Sequence, residues 1–285
     1  MKKTLRLKSP AKVNLRLEIV KKREDGYHEI RTLFQKMDLC DTIHFSLGRE
    51  EGISITTSQP LLPVDRRNLV YRASQAIFSR LSYQGGVAVH IDKKIPLGAG
   101  LGGGSSNAAT TLQALNQLLG GRLSLEEMMA MAVRIGADVP FFLMEGGSAL
   151  ATGIGERLEK VELPTLWFIL IYPNFEVSTA WAYQNIRLTK ETVHLKIQEF
   201  LSTPDKITRI LKNDLEQVVS GKFPQIDQMK DILTSAGAIG SLMTGSGPTV
   251  FGIFPEKGEA LRAYRDINKR VRANGWIALK ARSLP

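Results

Sequence analysis

Cysteine is nearly absent: Cys40 is the single one in 285 residues. One thiol can neither close an internal disulfide nor by itself build a zinc site, which excludes a disulfide scaffold and fits a reducing, cytoplasmic setting. Long apolar runs are absent as well. The longest, Leu166 to Tyr172, falls far short of the roughly 20 residues that span a bilayer and predicts a buried strand. The opening stretch has the charges of an export signal, but Arg6, Lys8, Lys12 and Arg16 interrupt the apolar core such a signal needs, so no export is expected. Internal repeats, low-complexity tracts and Ser/Gly/Pro linkers are also missing, which argues against a solenoid and leaves any domain boundary unannounced.

What is present is an ordinary globular composition, 43% hydrophobic, with a net charge of +10. The charge favours encounters with anions, whether nucleic acid, membrane surface or phosphorylated metabolites. The basic clusters, at Lys21 to Arg23, Arg66 and Arg67, Lys93 and Lys94, and Lys269 to Arg272, are short and scattered. They read as solvated surface, because nucleic-acid arms are long blocks of like charge.

From residue 11 to 19 apolar Ala11, Val13, Leu15, Leu17 and Ile19 alternate with Lys12, Asn14, Arg16 and Glu18, the period of a half-buried strand. Asp25-Gly26 supplies a turn, and apolar segments at Ile30 to Phe34 and Ile43 to Leu47 continue a meandering sheet. Asn68 is a good N-cap for a helix over Leu69 to Leu81. Val87, Val89 and Ile91 alternate as a strand, Asn107 to Leu119 reads as a helix, and Ser124 with Glu127 forms a capping box for a second helix ending at Gly136. Later in the chain, Val250 to Phe254 and Trp276 to Ala281 read as strands and Glu259 to Arg272 as a helix.

Between that strand and the helix at Asn107 lies the segment formed by Pro96, Leu97, Gly98, Ala99, Gly100, Leu101, Gly102, Gly103, Gly104, Ser105 and Ser106. Backbone N–H groups freed by glycine can converge on a phosphate, and the helix N-terminus adds partial positive charge. Ser105 and Ser106 are expected to cap the helix, and their hydroxyls could reach phosphate or a magnesium ion. Gly98-x-Gly100-x-x-Gly103 also fits the dinucleotide fingerprint, with Glu126 at the spacing of a ribose-binding acid. A Rossmann unit, however, needs a strand after the helix, and a capped second helix stands there instead. The loop lacks a Walker lysine, and the H-R-D and D-F-G signatures of protein kinases are absent.

Pro96 to Ala108, together with Ser9-Pro-Ala-Lys-Val-Asn-Leu15 and Thr244-Gly-Ser-Gly-Pro-Thr-Val-Phe251, resembles the three motifs of the GHMP kinases. Ala11 to Asn14, Asp25-Gly-Tyr-His28, Asn68-Leu-Val70 and Gly102 to Asn107 resemble the branch whose acceptor is a cytidine-diphosphate-linked methylerythritol, phosphorylated at its 2-hydroxyl on the non-mevalonate isoprenoid route. The resemblance implies an α+β, two-domain fold. Its N-terminal domain, residues 1–160, would be ribosomal-protein-S5-like and bind ATP; its C-terminal domain, residues 161–285, would be a ferredoxin-like α/β sandwich serving the substrate.

It also implies roles. Lys12 and Asp138 match the catalytic pair, with Asp138 the general base and Lys12 offsetting developing charge. Asn68 joins the glycine loop in holding ATP; Lys94, two residues before the loop, is a further ATP-binding candidate by its position alone, where it could face nucleotide phosphate or solvent. Asn14, Tyr27, His28 and, less securely aligned, Tyr183 would bind the cytidyl substrate, aromatic rings sandwiching the flat base. ATP is the implied co-substrate and Mg2+ its companion, with no protein metal ligands assigned and no nucleic-acid or membrane partner. Two other readings remain open from the residues alone: a GHMP kinase for a mevalonate-like or sugar acceptor, and a basic RNA-binding protein sharing the N-terminal fold.

Overall fold

The computed structural model describes residues 3–48, 51–186 and 197–285. In chain order these form β1 (Thr4–Lys22), β2 (His28–Gly48), β3 (Gly52–Thr57), α1 (Leu69–Leu81), β4 (Gly86–Asp92), α2 (Gly103–Leu118), α3 (Leu125–Ile135) and α4 (Val139–Leu143). There follow β5 (Ser148–Thr152), β6 (Arg157–Val161), β7 (Trp167–Tyr172), α5 (Thr179–Asn185), α6 (Pro204–Thr208), β8 (Lys212–Asn213), α7 (Glu216–Lys222) and α8 (Gln225–Ser235). The chain closes with β9 (Gly240–Met243), β10 (Val250–Phe254), α9 (Lys257–Arg272) and β11 (Ile277–Arg282).

Two compact units emerge, neither a single stretch of sequence. One comprises Met1–Ala11, Cys40–Leu97 and Gly102–Glu145; the other comprises Lys12–Leu39, Gly98–Leu101 and Gly146–Pro285. The long strands β1 and β2 pass from one unit to the other, which is why the sequence shows no linker.

In the first unit β3 runs parallel to β4, and β4 pairs antiparallel with the end of β2, Ile43 opposite Ile91 and Phe45 opposite Val89. Helices α1 and α2 pack together, with α3 and α4 against α2. Asn68 caps α1 as expected, its Oδ1 accepting from Val70 N–H at 2.9 Å. The capping box of α3 is complete: Ser124 Oγ accepts from Glu127 N–H and Glu127 Oε2 accepts from Ser124 N–H. Helix α2 buries residues all round, and its small side chains Ala108, Ala109 and Ala114 permit close packing.

In the second unit β7, β10, β9 and β11 form a four-stranded antiparallel sheet in the order β11-β7-β10-β9. With α8 and α9 packed on it, the chain order β7-α8-β9-β10-α9-β11 is the split βαβ arrangement of the ferredoxin-like fold. Strand β7 lies between β10 and β11, and Phe168, Ile169, Leu170 and Ile171 are all fully buried, as their unbroken apolar run predicts. One side of this core joins Ile169 and Ile171 to Met229 and Leu233 of α8 and Ile267 and Val271 of α9. In the same unit β2 pairs with β5, β5 with β6, and Arg16–Leu17 of β1 with β8 in parallel.

Three local expectations are corrected. The strand at residues 11 to 19 is buried on both faces: Lys12, Asn14, Arg16 and Glu18 are each 5% exposed or less. Lys12 pairs there with Asn14 and Arg16 with Glu18, though Arg16 Nε meets no hydrogen-bond partner among the described residues, so alternation marks the polar face without exposing it. The two apolar segments after Gly26 are one continuous strand, β2, because Lys36 and Asp38 between them do not interrupt the ladder. Helix α2 begins at Gly103, four residues before Asn107, and its N-cap is Gly102 with no side-chain cap. Ser105 and Ser106 therefore lie inside the helix and do not cap it.

Candidate active site

The glycine loop carries three left-handed residues, Gly98 (φ 58°), Gly100 (φ 74°) and Gly102 (φ 68°), a conformation that costs any residue with a Cβ about 1–2 kcal/mol. It delivers the chain into α2 with first-turn N–H groups that no side chain caps; the first helical bond into this turn is Ser106 N–H to Gly102 O at 2.9 Å. An uncapped helix start behind a left-handed glycine turn is a fitting cradle for phosphate oxygens.

In the first unit Asn68 divides its amide between α1, which Oδ1 caps, and the preceding loop, where Nδ2 donates to Pro63 O at 2.7 Å. Lys94 is exposed beside the loop, whereas its neighbour Lys93 is paired with the buried Asp41. Asp138 is the N-cap residue of the short helix α4, without a side-chain capping bond and half-buried, just after the Gly136 that ends α3.

In the second unit Lys12 Nζ donates to Asn14 Oδ1 at 2.7 Å and lies 4.9 Å from the centre of the Phe34 ring. Asn14 Nδ2 donates to Thr32 Oγ1 at 2.8 Å, and Thr32 in turn donates to Arg16 O at 2.6 Å. The ammonium is thus oriented by a chain of buried hydrogen bonds. The Lys12 N–H donates to Leu101 O at 3.0 Å, tying this strand to the glycine loop.

The segment Thr244 to Pro248 is the turn between β9 and β10, and it also meets the loop. Thr244 Oγ1 accepts from Asn14 N–H at 3.0 Å, and a Cβ on Gly100 would lie 2.5 Å from Thr244 O and 3.0 Å from Gly247 O. Asn213 Nδ2 holds this turn from the other side, donating to Met243 O at 2.7 Å and Gly245 O at 2.8 Å.

The same unit brings His28 and Tyr183 together, ring centres 5.2 Å apart and tilted by 38°. Burial, assisted by the nearby positive charge of Lys22, holds the His28 imidazole below its usual value, so the neutral ring prevails near pH 7. Tyr27 precedes His28 in sequence and is 60% exposed. The pair offers a flat base a ring face and an edge donor or acceptor.

Sequence reasoning passed over Thr32, Asn213 and Asp41. Thr32 and Asn213 lie far along the chain from the residues they steady, and Asp41 sits in an ordinary strand, so no local spacing marks them. Among the described residues no three His, Cys, Asp or Glu side chains gather as a metal site.

Comparison with known families settles the architecture. Residues 68–146 match the GHMP kinases N terminal domain and residues 198–273 the GHMP kinases C terminal domain. A 4-diphosphocytidyl-2-C-methyl-D-erythritol kinase of Geobacter sp. (strain M21) is 46% identical over 283 residues, 99% of this chain and 100% of the relative. The chain belongs to the GHMP kinases. A relative of the same name from Citrifermentans bemidjiense is 45% identical, with 99% of this chain and 100% of the relative covered. A crystal structure of 4-(cytidine 5'-diphospho)-2C-methyl-D-erythritol kinase superposes with a TM-score of 0.84 at 33% identity, covering 99% of this GHMP kinase and 100% of that chain. The α+β, two-domain GHMP kinase architecture expected from the motifs is the one observed.

Proposed function

We infer that this GHMP kinase transfers the γ-phosphoryl group of ATP to the 2-hydroxyl of 4-diphosphocytidyl-2-C-methyl-D-erythritol, giving the 2-phosphate and ADP in the non-mevalonate isoprenoid route. The observation that carries the reading is likeness over the whole length, 46% identity across 283 residues, to a relative of that name. The His28–Tyr183 pair supports it, because a mevalonate or sugar acceptor has no base for such a pair to grip. Scattered basic clusters and the kinase architecture leave the RNA-binding reading without a supporting observation.

The proposed roles follow from what each group can do. The left-handed glycines and the uncapped start of α2 receive the phosphates, with Asn68 and Lys94 contributing at the nucleotide. Asp138 accepts the proton of the 2-hydroxyl as that oxygen bonds to the γ-phosphorus, while the bond to the β–γ bridging oxygen breaks and ADP departs. Lys12, oriented by Asn14, offsets the negative charge that develops on the transferring group. Magnesium entering with ATP would supply positive charge that offsets the charge of the phosphates. Tyr27, His28 and Tyr183 hold the cytosine, and Asn14 faces the acceptor. ATP chemistry would thus fall mainly to residues 1–160, acceptor recognition to residues 161–285 with the β1–β2 turn, and the protein would work in the cytoplasm.

The experiment is ADP release from ATP and magnesium with 4-diphosphocytidyl-2-C-methyl-D-erythritol, mevalonate, homoserine or galactose as acceptor. Turnover confined to the cytidyl compound is the expected result. Turnover with another acceptor alone would discard the cytosine pocket, and silence with all four would discard the kinase.

A further inference from the structure

Asp41 is fully buried on β2 and has no part in the roles above, yet its carboxylate accepts from four donors. Oδ1 takes the N–H groups of Lys94 at 2.8 Å and Ile95 at 2.9 Å. Oδ2 takes Asn107 Nδ2 at 2.9 Å and the ammonium of Lys93, in an ion pair whose side chains are 5% and 0% exposed. A carboxylate this deep is tolerated only when its charge and lone pairs are met, and here they are.

The identity of the four donors gives the arrangement its meaning. Lys93, Lys94 and Ile95 are the last residues before the glycine loop, and Asn107 is the first residue after it. One carboxylate therefore holds both ends of the phosphate loop. Asn107 Nδ2 also donates to Ser9 Oγ at 2.8 Å, and Ser9 Oγ donates to Ser106 Oγ at 2.8 Å, extending the tie into the first turns of α2. The close approach is built into the sequence: a Cβ on Gly103 would lie 3.0 Å from Ile95 Cγ2 and 3.2 Å from Lys93 Nζ. A glycine-rich segment has few side chains with which to fix itself and much conformational freedom to lose, so its geometry depends on what holds it from outside, its two ends included.

We propose that Asp41 is a positioning residue for ATP, setting the phosphate-binding shape of the glycine loop by holding Lys93–Ile95 and Asn107 on one buried carboxylate. The inference rests on the kinase reading. Asp41 touches neither ATP nor acceptor; it acts through the backbone that does. It differs from a residue that merely stabilises the fold in what its loss should do: ATP affinity falls while recognition of the cytidyl group, which uses His28 and Tyr183, is retained.

The test uses the full chain with Asp41→Asn and Asn107→Ala, measuring ATP dissociation constants by calorimetry, KM for each substrate, kcat and Tm. Both variants are expected to weaken ATP binding and raise KM for ATP by about tenfold, with KM for the cytidyl substrate unchanged. A lowered Tm with ATP affinity unchanged, or equal rises in both KM values, would overturn the proposal. Should Asp41→Asn fail to fold, Asn107→Ala decides alone, because it leaves the Asp41–Lys93 pair intact. Wild-type protein that binds no ATP would sink the kinase reading and this inference with it, whereas wild-type binding with unaltered variants would sink only the inference.

Discussion

Lys12 and Asn14 sit two residues apart on β1, and the 2.7 Å bond between them is the kind of contact that turns a flexible ammonium into a directed one. Asp138, at the start of α4, is not consumed by capping. If it is the base, Asp138→Asn keeps the shape and removes the proton acceptor, and kcat should fall by about 10²- to 10⁴-fold with both KM values little changed. Unchanged kcat in steady-state assays would dismiss the role. For His28 the sign is fixed by its burial and by Lys22: the folded-state value lies below 6.5, so protonation penalises the native state. Its contribution to stability is present above pH 6.5 and is lost as pH falls from 6.5 through the folded value. Titration of the ring by NMR should give a midpoint under 6.5, and a midpoint above it would refute the half-buried, neutral histidine. The sequence showed these residues through motif and alternation. Thr32, which supports Asn14, and Asn213, which holds the turn after β9, were invisible because the hydrogen bonds they make join distant parts of the chain.

At the scale of elements, the turn after β9 comes against the glycine loop. Gly100 combines a positive φ with backbone oxygens 2.5 and 3.0 Å from where a Cβ would stand. Gly100→Ala should therefore cost about 1–2 kcal/mol in backbone strain alone, more if the turn must shift, and it should weaken ATP binding as well. Calorimetric unfolding and nucleotide titration would check both; a variant with native Tm and native affinity would show that the contact is dispensable. Elements with strong local signals were legible: Asn68 and Ser124 cap where expected, and β10 and β7 follow their apolar runs. The misplaced start of α2 has a physical cause. Glycine has poor helix propensity, yet Gly103 and Gly104 are helical because small residues let α2 start close beside Ile95 and Lys93. The merging of two apolar segments into β2, and the short elements between Pro204 and Lys222, likewise depend on partners elsewhere in the chain.

For the whole molecule, the excess of basic residues finds a use in substrates that are all anionic. ATP and a cytidyl diphosphate should both be drawn by a net charge of +10. Raising ionic strength from about 0.05 to 0.5 M should lower kcat/KM while leaving kcat nearly level, since screening acts on encounter more than on chemistry. A fall in kcat with kcat/KM unchanged would contradict that account. The interleaving of the two units through β1 and β2 hid from sequence inspection because a strand carries no mark where it leaves one core for the next. The central claim is that phosphate moves to one particular hydroxyl of one particular acceptor. The most direct measurement is ³¹P and ¹³C NMR of the product formed from ATP and 4-diphosphocytidyl-2-C-methyl-D-erythritol. The account predicts a new phosphomonoester coupled to the carbon bearing the 2-hydroxyl, with the diphosphate bridge intact; a phosphate on another hydroxyl, or no phosphomonoester at all, would contradict it.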